Sequence, residues 1–157
     1  MAFRAAGLPG LAGMALATVL LAACVPETDA GDTGAKTAGV IEISRGGSFS
    51  GGSSVTIYAD DTMMTSQSDP GGPFKTSQRR NAPAGAFQRA SAVVAVQGPK
   101  VAAQLKAKDD GLSCLDYGSD WVAAKPPIGG FSKAGAGCPE PALDTFISNV
   151  LGAIAAP

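Results

Sequence analysis

The chain has 157 residues, 12 basic and 13 acidic side chains and no histidine, for a formal net charge of −1. Without a basic surplus, nucleic acid is excluded as an expected partner. The missing histidine removes serine–histidine and cysteine–histidine catalysis and the commonest metal ligand, so neither a metal nor a cofactor is expected.

Arg4 is followed by a run without charge from residue 5 to residue 23, closed by Leu21-Ala22-Ala23-Cys24. A positive start, an apolar run and small residues before a cut mark a secretory signal. The last four residues resemble the lipobox of bacterial lipoproteins. In that family the cysteine sulfur takes a diacylglyceryl group, the preceding peptide is removed and the new amino terminus is acylated. The resemblance implies that Cys24 carries the lipid and opens the mature chain, and that the membrane is a partner through that lipid. Each buried CH₂ of an acyl chain contributes about 0.8 kcal/mol, so several chains together hold a protein firmly on a bilayer. In the same family an Asp after the cysteine favours the inner membrane. Val25 stands there, which implies the periplasmic face of the outer membrane. The competing reading, an uncleaved spanning helix, needs about 20 apolar residues. Gly7, Pro9, Gly10 and Gly13 weaken it in the first half of the run.

The expected division is a signal over residues 1–23, a disordered tether over 24–38 and one α+β domain over 39–157. The tether is small, polar and aperiodic, with no face to bury. Loss of Arg4 leaves 11 basic and 13 acidic side chains, a mature net charge of −2. An exported chain meets an oxidising compartment, so the even pair Cys114 and Cys138 reads as a disulfide, which stabilises by roughly 3 to 4 kcal/mol in the chain-entropy model. A zinc site is disfavoured by the absence of histidine and of CxxC spacing.

Val40, Ile41 and Ile43 alternate imperfectly with Glu42 and Ser44, giving a first strand. Residues 45–52, rich in Gly and Ser, read as a turn-rich connection; they lack the Gly-Lys-Ser/Thr ending of a phosphate loop. Over residues 54–59, Val55 and Ile57 face one way and Thr56 and Tyr58 the other. Asp60-Asp61 marks a tight turn, and residues 62–66 return antiparallel with Met63 or Met64 turned inwards. Residues 68–73 are a loop, and Arg79-Arg80 beside it reads as a solvated surface pair or a contact for an acidic group.

Asn81 is expected to cap a helix with Pro83 in its early turn. Phe87, Ala90, Val94, Val101 and Leu105 recur at helical spacing, and Gly98-Pro99 predicts a break into helices over 84–97 and 99–107. A polar turn, too short for a calcium loop, follows at Asp109-Asp110-Gly111. Residues 112–125 predict a strand interrupted near Gly118, residues 126–130 a turn and residues 131–137 a returning strand, so that the disulfide clamps a hairpin. A final helix starts at Pro139. Leu143, Phe146, Ile147, Val150, Leu151 and Ile154 form its apolar stripe, with Glu140 and Asp144 near the positive end of its dipole. The stripe reads as core-facing, because the polar face lacks the Lys and Arg of a membrane-lying helix.

The catalytic candidates left are carboxylates. Asp60 and Asp61, adjacent in sequence, diverge. Asp116 and Asp120 either converge around Gly118 or cap that turn. A possible contact patch gathers Tyr117, Asp120 and Trp121. Ile43-Ser44-Arg45-Gly46-Gly47 and Val55-Thr56-Ile57-Tyr58-Ala59-Asp60-Asp61 resemble the opening of an uncharacterised family of small bacterial envelope domains, with a Ser-Arg-x-Gly start and a Thr-Ile-Tyr-x-Asp-Gly strand end. Asp61 stands where that family has Gly, and the family's cysteines and proline between the strands are absent. The resemblance implies an α+β domain and no activity. The leading expectation is a non-enzymatic lipoprotein that contacts another envelope protein or the envelope itself. The alternatives are a small-ligand or inhibitor-type binding module using the Trp121 region and a hydrolase using Asp116 or Asp120.

Overall fold

Alternation of Ile41 and Ile43 with Glu42 and Ser44 produces a strand with one buried face, and the rest of the sheet grows outward from it. The computed structural model describes residues 39–47, 49, 51–108, 114 and 118–157. The expected signal over 1–23, Cys24, the expected tether over 24–38 and the expected turn at Asp109-Asp110-Gly111 lie outside the described residues, as do Asp116 and Tyr117. The strands are β1 Val40–Gly47, β2 Gly51–Tyr58, β3 Thr62–Ser68, β4 Lys75–Thr76, β5 Arg80–Asn81, β6 Asp120–Ile128 and β7 Phe131–Ala136, with helices α1 Ala86–Ala107 and α2 Pro141–Ala155. They form one antiparallel sheet in the order β4-β3-β2-β1-β6-β7, with β5 also on β3, and two helices on one face: the fold is α+β. No helix among the described residues is long and apolar enough to cross a membrane.

The core lies between sheet and helices. Ile41, Ile43, Ile57 and Val122 meet Ala90 and Val94 of α1 and the stripe of α2, in which Leu143, Phe146, Ile147, Val150 and Ile154 are buried. Each of the buried Val, Leu, Ile and Phe side chains contributes about 1.5–3 kcal/mol by leaving water. Phe131 and Phe146 meet edge to face with centroids 5.6 Å apart, a favoured aromatic geometry. Arg89 of α1 donates to the carbonyls of Ala153 and Ala156, satisfying the end of α2 and joining the helices.

Several boundaries differ from the sequence reading. Residues 45–47 and 51–52 are not turn but ladder, with Gly46 opposite Gly52 and Gly47 opposite Gly51. Gly46 and Gly51 have φ of 79° and 76°, so they bend the strand ends instead of ending the pairing. The predicted break at Gly98-Pro99 does not occur. The buried stripe Ala86, Ala90, Val94, Gly98 and Val101 passes Pro99 on one continuous face. Burial on both sides offsets the roughly 3 kcal/mol cost of an internal proline, and Gly98 serves packing, since a Cβ there would lie 2.6 Å from the Phe131 ring. Asn81 does not cap α1; it belongs to β5, and the cap comes from Asp61. Proline occupies the first turn of α2 as expected, but it is Pro141. Residues 126–128 extend β6, leaving only Gly129 and Gly130 as the turn before β7. Cys114 and Cys138 form a disulfide with Cα atoms 5.0 Å apart, bracketing the β6–β7 hairpin.

Candidate functional site

Period-two alternation gives the sheet a second face that neither helix covers. Ser44, Ser54, Ser66 and Thr76 stand abreast across β1, β2, β3 and β4. On the other side of Ser44 its register partner is Trp121 of β6. A parallel row carries Glu42, Thr56 and Met64. Of these, Glu42, Ser44, Ser54, Thr56 and Ser66 line a shallow groove of about 400 Å³, with Trp121 and Phe74 at its rim. Phe74, 53% exposed, lies over Gly52, where a Cβ would come within 3.3 Å of its ring. Glycine is therefore what lets this aromatic rest on the strand. The Lys133 ammonium sits 5.0 Å from the Trp121 ring centroid.

The charges nearby are mostly engaged in the protein's own structure. Glu42 pairs with Lys125 at 3.5 Å. Asp60 accepts from the Thr62 hydroxyl and from Arg79, whose guanidinium lies 3.9 Å from the Tyr58 centroid. The Thr62 hydroxyl first, then the Thr62 amide and Arg79, hold the Asp60 carboxyl below its usual range. The Asp61 carboxylate accepts the Phe87 and Gly85 amides at the head of α1, and these two bonds, Phe87 first, lower its pKa.

Of the expected contact patch, Tyr117 lies outside the described residues, and the structure separates the other two. Asp120 and Trp121 are neighbours on a strand and point to opposite faces. Asp120 is 8% exposed and its Oδ1 accepts the Gly46 amide at 2.8 Å, so it fastens the end of β1. Trp121 alone of that pair reaches the open face. No protein-family model matches the chain, and the searches of curated proteins and of solved structures likewise find no match.

A larger hollow of about 680 Å³ lies between the end of α1 and β7, lined among others by Leu105, Lys106, Lys108, Lys133, Cys138 and Glu140. Lys108 and Glu140 are already paired at 3.1 Å, and residues 109–113, which continue from Lys108, lie outside the described set. Among the described residues no three Cys, Asp or Glu side chains converge as a metal site. Of the groove's residues, sequence reasoning had named Trp121 as a candidate but not Ser44, Ser54, Ser66 or Phe74. The outward direction of Thr56 was readable from alternation; extending it to Ser54 and Ser66 would have exposed the hydroxyl row.

Proposed function

We propose that this chain is an exported, non-enzymatic lipoprotein, held at the periplasmic face of the outer membrane through acylated Cys24, and that its α+β domain binds an envelope component through the sheet face bearing Trp121. The observation that carries the reading is the uncovered groove, with an aromatic side chain at its rim and hydroxyls on its floor. A large aromatic left at the rim of a concave surface is what binding sites use. The Cys114–Cys138 bridge suits an oxidising compartment. Asp60, Asp61 and Asp120 are occupied in ion pairing, helix capping and strand fastening, which supports binding over hydrolysis.

Two variants test it. Cells fed an alkyne-tagged fatty acid should label the wild-type chain and Ser54→Arg but not Cys24→Ser. Affinity capture of the lipidated wild type should retain an envelope component that Ser54→Arg loses. An unlabelled wild-type chain contradicts the anchor, and equal capture by wild type and Ser54→Arg contradicts the face.

A further inference from the structure

We infer that the groove on the open sheet face takes an uncharged oligosaccharide, its ring stacked on Trp121 and its hydroxyls bonded to the serine row. The inference rests on the binding reading above and names its ligand class. Hydroxyl side chains both donate and accept, which matches the alternating demands of a sugar's own hydroxyls. Ser44, Ser54 and Ser66 lie in register on adjacent strands, about 4.8 Å apart. With Trp121 on the next strand the row runs roughly 14 Å, longer than one sugar ring, so a chain of rings is the fitting occupant.

The charge pattern selects a neutral ligand. The Glu42 carboxylate is met by Lys125 and the Lys133 ammonium rests on the Trp121 ring, so both charges at the groove are engaged, and its lining is otherwise Ser44, Ser54, Thr56 and Ser66 with Ile43, Phe74 and Trp121. A protein partner of ordinary affinity needs a desolvated apolar centre ringed by polar groups. Here the arrangement is reversed, with hydroxyls central and Trp121 and Phe74 at the rim. Beside Phe74's end of the groove, Ser68 pairs in register with Gly52; it is 9% exposed, and its hydroxyl finds no partner among the described residues.

Trp121 is the only tryptophan in the chain, so its fluorescence reports this site directly. The purified disulfide-bonded domain is titrated with chitotetraose, with cellotetraose and with the anionic tetramer of galacturonic acid, and binding is measured in parallel by calorimetry. The expected result is a saturable shift of tryptophan emission with at least one neutral tetramer, and binding weakened tenfold or more in Ser54→Leu. Retention of the wild-type melting curve shows that Ser54→Leu is folded; Thr56→Val, which removes a hydroxyl without adding bulk, is the second variant and should weaken binding about threefold. A response to the anionic tetramer alone, or none to any probe, overturns the inference. If in that case Ser54→Arg still abolishes capture of an envelope protein, the face remains a contact surface and only the saccharide is wrong. If capture is also unaffected, both fall.

Discussion

The Asp61 carboxylate accepts the Phe87 amide at 2.8 Å across 26 positions of sequence, tying the β2–β3 turn to the head of α1. Asp61 has φ of 55°, a left-handed conformation that Asp and Asn tolerate better than most residues. Its second bond, to the Gly85 amide at 2.6 Å, completes a cap supplied from outside the helix. The same residue thus closes a hairpin and sets the helix on one face of the sheet, so that neither helix covers the other.

That cap makes stability depend on acid. Folding lowers the Asp61 and Asp60 pKa values, so in the acid range the unfolded chain binds more protons than the folded one, and stability rises with pH there. Their contribution is complete above the ordinary aspartate pKa, about 3.9, and is lost as pH falls through the lowered folded values. Asp61→Asn should be less stable than wild type at pH 7, with the gap narrowing below about pH 4. Asp61→Ala should be worse than Asn at pH 7, since alanine has no acceptor and strains at positive φ. Denaturant melts across pH check both.

Gly98→Ala should destabilise the fold although alanine is the better helix former by about 1 kcal/mol. The added methyl would lie 2.6 Å from the Phe131 ring, itself 1% exposed with no room to retreat. Overpacking of this kind costs about 1–3 kcal/mol or more. In a Phe131→Leu background the same substitution should cost less, and a double-mutant cycle in denaturant measures the difference.

Paired Cys114→Ser and Cys138→Ser substitutions should lower stability by about 3 kcal/mol for a sequence separation of 24. The wild type in reductant should move towards the double variant, whose own midpoint should not respond. Thiol titration of the purified oxidised protein should find neither of these two residues free.

Asp120→Ala should act on stability, not on binding. Removing the carboxylate deprives the Gly46 amide of its acceptor, a loss of about 1.5–3 kcal/mol for a bond to a charged group. Ligand capture per folded molecule should be unchanged. Trp121→Ala should show the converse, a large binding loss with a smaller stability loss.

Elements written in local periodicity were legible in the sequence. The stripe from Leu143 to Ile154 placed α2, and alternation at Val55 and Ile57 placed β2. The disulfide followed from an even pair of cysteines in a chain read as exported. Features set by distant neighbours were not legible. Gly98-Pro99 looks like a stop in isolation, but the helix continues because the stripe on both sides of Pro99 is buried, with Phe131 packed against Gly98. Gly46 and Gly52 look like turn residues until pairing sets them opposite each other. The cap on Phe87 comes from Asp61, which no local capping pattern could reveal. The groove depends on register among four strands and on Phe74 folding over Gly52, so only its Trp121 rim was foreseen.

The most direct measurement places a photo-crosslinking phenylalanine analogue at Phe74, 53% exposed at the groove rim on the open sheet face, or at Val96, 66% exposed on α1 in the opposite layer, in the full chain within producing cells. The expected result is an envelope adduct from position 74 and none from position 96. Adducts of equal yield from both positions, or from position 96 alone, would contradict the assignment of the bare face as the working surface.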